Sequence, residues 1–253
     1  QQFRELGMRI TDRLDFSEWV DVYRDLTRYE FDLDKSDDKG MVEVLNIQKQ
    51  EANNSFAKYY ERNYKDWLDG NTDSKPTLSH TLVKDYIFPL LDNGKQVFML
   101  LIDNLRFDQW TIIKPLIEQY FRVENESLYY SIIPTTTQYA RNAIFAGMMP
   151  NEIRNKYRDY WVDEHEEGTK NKFEQELLKE QFKRFGRKTS ISYNKILNLN
   201  AGRKLFENIS NLMDTEFNVI VYNFVDMLSH ARTEMEIIRE LADNEASYRS
   251  LML

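Results

Sequence analysis

Over the first seventy residues the apolar positions recur at helical spacing, and no segment alternates as a strand would. Ser17 reads as the N-cap of a helix running to about Phe31, with Trp19, Val20, Tyr23, Leu26 and Phe31 toward one face. Asp37 or Asp38 starts a longer second helix to about Leu68. Its stripe of Val44, Leu45, Ala52, Phe56, Tyr59 and Trp67, with Gln, Lys, Glu and Asn between, predicts helix–helix packing. Asp69–Pro76 reads as a linker: Gly70 can end the helix and Pro76 bars its continuation. A third helix begins near Leu78 and meets Phe88-Pro89, a kink or an early stop.

From Lys95 the period changes. Val97–Ile102 is a continuous apolar run, as expected of a strand buried on both faces. Phe107–Tyr120 reads as a helix with Trp110, Ile113 and Ile117 inward and Pro115 as its weak point. One or two strands are expected in Phe121–Ile133, a short helix over Gln138–Gly147 and an amphipathic helix over Thr169–Phe185. A strand at Lys188–Tyr193, a helix at Ala201–Met213, an apolar strand at Phe217–Phe224 and a helix over Thr233–Ser250 complete the pattern. Strands alternating with helices predict an α/β sheet with helices on both faces. The expected organisation is an all-α bundle over residues 1–70 and an α/β domain over 78–253, with no internal repeat.

Composition narrows the classes. Lys and Arg number 34 against 42 Asp and Glu, a net charge of −8, which argues against a DNA-binding regulator that needs a positive field. Cysteine is absent, so disulfides, thiol nucleophiles and thiolate metal ligands are excluded, and Asp, Glu, His or hydroxyls must hold any metal. No apolar run approaches the roughly 20 residues that span a bilayer, and the first residues lack an apolar signal core. A cytoplasmic protein is expected. The chain opens on Gln1 and stops at Leu253 within a helix-like segment, which suggests part of something longer.

Three strand ends carry candidate chemistry. Asp103 follows Val97–Ile102, where α/β sheets put ligand sites, although a helix N-cap would also want it. Arg106 can pair locally with Asp108 or with Asp103. Pro134-Thr135-Thr136-Thr137 precedes a short helix, so hydroxyls stand beside free backbone N–H groups that could hold a phosphate. Arg141, one turn later, could bind a phosphoryl oxygen or be a solvated charge. Asp226 and His230, at i and i+4 after the last strand, share one helix face and suit zinc or manganese, or are a cap and a surface histidine.

The combination resembles the alkaline phosphatase superfamily: Asp after the first core strand, then Pro-x-x-Thr, then Asp-x-x-x-His after a later strand. Asp103-Asn104-Leu105-Arg106-Phe107-Asp108 resembles the Asp-x-Leu-Arg-x-Asp run of its phosphodiesterase and PglZ members. Thr137 through Pro150 looks like the nucleophile helix of nucleotide pyrophosphatase/phosphodiesterases, with a Gly three residues before a Pro. PTTTQYARNAIF and YNFVDMLSHARTEM are similar to the PorX-like family of PglZ-domain response regulators of Bacteroidetes, and Phe16–Leu68 resembles that family's middle helical region.

The resemblance implies a truncated alkaline-phosphatase-like sheet and two zinc ions. Asp103 and Thr137 would belong to one ion, Asp226 and His230 to the other. Thr137 would be the nucleophile, with Thr136 the alternative one residue earlier, and Arg141 would touch substrate. It further implies phosphodiesterase or phosphatase activity on nucleotides or short oligonucleotides, a role in type IX secretion, and a sensor kinase acting through a receiver domain. Homodimerisation on phosphorylation and a sigma factor or secretion-system component as partner would follow. The family's site also needs an Asp-His pair and one more His downstream. The chain contains none there, so each metal keeps half its protein ligands, and the segment by itself is expected to be inactive. The rival expectation is a non-catalytic signalling module that binds a nucleotide or a protein.

Overall fold

The computed structural model describes residues 2–10, 13–34, 38–163 and 165–231. The expected helix over Thr233–Ser250 lies outside them. The chain divides into two compact units, residues 1–76 with Val123–Leu128, and residues 77–122 with 129–253.

The first unit is helical, as its periodicity predicts: α1 (Gln2–Arg9), α2 (Phe16–Asp34) and α3 (Lys39–Asp69). Asp15 caps α2 in place of Ser17. Its Oδ1 accepts from the Ser17 and Glu18 N–H groups, while Glu18 Oε2 accepts from the Asp15 N–H. The carboxylate reaches farther than the Ser17 hydroxyl, which itself donates to Asp15. Asp38 caps α3 by accepting from the Met41 N–H, and Gly70 ends it at φ 71°, the left-handed turn glycine adopts freely. The α3 stripe buries Leu45, Ala52, Tyr59 and Trp67 but leaves Val44 exposed. Trp19, Phe56, Tyr59, Tyr60 and Trp67 form an aromatic cluster with centroids 5.4–6.2 Å apart. Desolvation pushes the Tyr59 phenol up to about 12. From Val123–Leu128, Glu126 lends its carbonyl oxygen to Arg24 at 3.1 Å.

The second unit is α/β. A π-turn at Val83–Ile87 runs into α4 (Phe88–Asp92), so Phe88-Pro89 marks a change of helical pitch and not a stop. Then follow β1 (Val97–Ile102), α5 (Phe107–Ile117), a π-turn at Thr137–Arg141 leading into α6 (Asn142–Ala146), and α7 (Pro150–Lys156). The chain continues through α8 (Glu174–Arg184), β2 (Ile191–Ile196), α9 (Leu199–Glu207), β3 (Phe217–Tyr222) and α10 (Phe224–Ala231). The three strands are parallel in the order β1-β3-β2, with Val97 and Ile191 both opposite Phe217. β3 is therefore central, and Phe217, Val219 and Val221 are fully buried. The core gathers these with Phe88, Phe145, Ile153, Leu177, Leu178 and Phe182.

Two expectations change here. β1 is not buried on both faces: as an outer strand of the described sheet it exposes Phe98 and Leu100, the latter at 59%. The strands expected in Phe121–Ile133 do not form. That stretch has no regular secondary structure, its burial alternates over its second half, and its one β-bridge joins Tyr130 to Leu78. Alternating burial alone does not supply a ladder of hydrogen-bond partners.

Candidate functional site

The parallel register aligns the carboxyl ends of the strands. Past that edge the Asp103 N–H donates to the Tyr222 carbonyl oxygen at 3.0 Å, and the Asn223 N–H donates to the Ile196 carbonyl oxygen at 3.2 Å. Asp103 thus directly follows β1, and Asp226 stands in the first turn of α10, directly after β3. In a parallel sheet this edge is where ligands bind.

Asp103 does not cap a helix. The residue at the start of α5 is Arg106, whose N–H donates to Gln109 Oε1 at 3.0 Å, and the turn at Asn104 is left-handed at φ 62°. Arg106 takes the local option and pairs with Asp108 at 2.7 Å. The Asp103 side chain is largely buried and meets the Arg141 guanidinium through Nη1.

Arg141 is not a solvated charge: it is 4% exposed. It lies one turn past Thr137, and Pro134 and the triad of threonines lead the chain into that turn; the Ile133–Pro134 peptide is cis. Its Nε and Nη2 donate to Glu174 from α8, the latter at 3.1 Å. Glu174 is fully buried and also accepts from Tyr193 Oη at 2.6 Å, Lys195 Nζ at 3.2 Å and Asn171 Nδ2 at 3.2 Å. Two carboxylates and two cations therefore balance in one network that ties the Thr137 turn to β1, α8 and β2. Buried charges persist where pairing and hydrogen bonds satisfy them, as here. Burial pushes the Asp103 carboxyl up, Arg141 works against that shift, and the nearby Asp226 charge adds to it. Burial and then the Glu174 charge push the Tyr193 phenol well up. Glu174, Tyr193 and Lys195 carry no motif in the sequence. Tyr193 and Lys195 stand in a short strand, and Glu174 is one of several charged residues in α8, so local pattern does not single them out.

Thr137 and Thr136 are exposed. Thr136 precedes the turn in an extended conformation, and its carbonyl oxygen accepts from the Tyr139 and Ala140 N–H groups at 3.0 and 2.9 Å, while its side chain makes no capping bond. His230 Nε2 lies 3.6 Å from Asp226 Oδ1, with His230 largely in solvent.

The donor types suit a zinc ion: carboxylate, imidazole and hydroxyl, with Asp226 and His230 converging from one helix face. The number of donors is smaller than a closed site needs. Among the described residues no three of His, Asp and Glu cluster to hold a metal, and the Arg141 guanidinium sits on Asp103. The fit is that of part of a site, on the Asp226/His230 side more than on the Asp103 side.

Residues 82–252 match the family model of the BREX system PglZ alkaline phosphatase-like domain. Residues 1–68 match that of the PorX response regulator linker domain. No curated protein matches the chain.

Proposed function

The chain belongs to the PglZ alkaline phosphatase-like family, with a PorX-like linker ahead of that domain, and from this premise we propose that it serves a zinc-dependent phosphodiesterase or phosphatase. The observation that carries the proposal is the shared sheet edge: Asp103 and Asp226 follow adjacent parallel strands, and the exposed Thr137 opens a turn fastened to Asp103 through Arg141. Asp103 and Thr137 would hold one zinc ion, and Asp226 and His230 the other. A bound ion there would supply Lewis-acid activation of a hydroxyl and charge neutralisation at phosphorus.

Thr137 is the nucleophile in this reading. Its oxygen forms a bond to phosphorus, the ester oxygen leaves, and water later cleaves the phosphothreonine. Thr136 takes the part if the register is shifted by one. Arg141 holds the turn against Asp103 and Glu174, so any contact it makes with substrate comes from an already fixed guanidinium. The substrates are nucleotides or short oligonucleotides. The setting is a cytoplasmic response regulator linked to type IX secretion, which dimerises through its helical unit when its receiver is phosphorylated and acts on a sigma factor or secretion component.

The test is hydrolysis of bis(4-nitrophenyl) phosphate, with zinc added, by the complete protein and its Thr137→Val variant. The variant is expected to be slower by at least about a thousandfold, as when a covalent nucleophile is removed. Equal rates would overturn the assignment. One observation favours a second reading, a signalling module that binds without turnover: the Arg141 guanidinium occupies the Asp103 carboxylate. Nucleotide binding with no hydrolysis in the wild type would select it.

A further inference from the structure

Six described residues have a left-handed backbone, and five of them are glycines: Gly70, Gly94, Gly147, Gly168 and Gly186. The sixth is Asn104, at φ 62°, which stands directly after Asp103 at the carboxyl end of β1. Glycine enters this region without a steric penalty. Asparagine incurs one, and it offsets the penalty best when its short side chain hydrogen-bonds locally. Among the described residues the Asn104 carboxamide makes no hydrogen bond, and Asn104 is exposed. Asparagines that serve local structure do use theirs. Asn198 caps α9 by accepting from the Ala201 N–H at 2.9 Å, and Asn218 donates to the Leu212 and Thr215 carbonyl oxygens at 3.1 and 3.0 Å. A strained position whose side chain serves no local bond points to a use outside the fold.

We infer that the Asn104 carboxamide contacts the phosphoryl group of the substrate, with Nδ2 donating to a non-bridging oxygen. The inference rests on the reading of Asp103 and Thr137 as one side of the reaction site and adds a recognising residue to it. The cations nearby are already engaged. Arg141 is 4% exposed, with Nε and Nη2 on Glu174 and Nη1 on Asp103. Arg106 pairs with Asp108. The amide of Asn104 is neutral, so neither Asp103 nor Asp108 holds it as an ion pair, and it keeps two N–H donors for an anionic acceptor. It stands at the edge of a parallel sheet where ligands bind, one residue past the carboxylate of the proposed site.

The experiment compares the complete protein with its Asn104→Gly and Asn104→Ala variants, with zinc present throughout. Glycine removes the carboxamide and keeps the left-handed turn, whereas alanine removes the carboxamide and disfavours the turn. Calorimetric titration with inorganic phosphate is expected to show binding weaker by about tenfold in Asn104→Gly, the worth of one hydrogen bond to a charged group. In hydrolysis of bis(4-nitrophenyl) phosphate, KM is expected to rise by a similar factor, with kcat changing less. Wild-type phosphate affinity and KM in Asn104→Gly, with loss confined to Asn104→Ala, would assign the residue to the turn alone and overturn the inference. Absence of phosphate binding to the wild-type protein would overturn it as well. If hydrolysis survives Thr137→Val while Asn104→Gly still weakens phosphate binding, the nucleophile assignment fails and the Asn104 assignment stands. If Thr137→Val abolishes hydrolysis while Asn104→Gly matches the wild type, the Asn104 assignment alone fails.

Discussion

Glu174 joins the most partners in the buried ion network around Arg141. It is fully buried and accepts from Arg141, Lys195, Tyr193 and Asn171. Glu174→Ala leaves the Arg141 charge buried with Asp103 as its remaining carboxylate partner. Removing one partner of a buried pair costs about 3–5 kcal/mol, so urea denaturation is expected to report a loss of that size. A loss below about 1 kcal/mol would mean that the network is solvated. The sequence did not identify this residue. Glu174 stands in the run Glu174-Gln175-Glu176, and nothing in the run distinguishes the carboxylate that is buried. Arg141 was legible as a turn-spaced neighbour of Thr137. Its partners Asp103 and Glu174 lie 38 and 33 residues away, and local spacing does not encode contacts of that range.

Among elements, helix α2 owes its start to Asp15. Hydrogen bonds from the Glu18 N–H and the Ser17 hydroxyl hold this carboxyl below its ordinary 3.8. A depressed native value means that the ionised cap stabilises the fold fully above pH 3.8 and loses that contribution as pH falls through the native value. Asp15→Ala is expected to cost about 1 kcal/mol at pH 7, the usual worth of a cap. The gap from wild type should close on acidification below 3.8, as urea melts at the two pH values will show. A gap unchanged by acid would reassign the effect to packing. Element ends were legible wherever one residue type has one local use: Asp38 and Gly70 bound α3, and Gly147 ends α6 at φ 58°. Asp103 and Asp226 were legible as carboxylates that follow apolar runs; Thr137 was expected at a strand end, and no strand leads directly into it. Phe121–Ile133 differs from its expected strands because its backbone lies along no neighbouring strand: its one bridge is Tyr130 to Leu78.

At the scale of the whole molecule, no described helix is long and apolar enough to cross a membrane, and the charge of −8 sets the protein against polyanion binding through its overall field. The family is that of alkaline phosphatase-like domains. For the proposed reaction, metal removal is therefore the global test. Chelation of the complete protein is expected to slow phosphodiester hydrolysis by about a thousandfold or more, equivalent to several kcal/mol of lost transition-state stabilisation, with recovery on added zinc. Full activity after chelation would refute the zinc assignment while leaving Thr137 to its own test.

The helical unit is not contiguous in sequence: Val123–Leu128, inserted between two parts of the α/β unit, belongs with residues 1–76. This bears on inheritance. Genetic exchange at the Asp69–Pro76 linker would bring in a new set of helices and leave behind the old Val123–Leu128, with Glu126 facing whatever replaced Arg24. The six residues and the helices they pack on are therefore one matched set, although more than forty positions separate them from the linker along the chain.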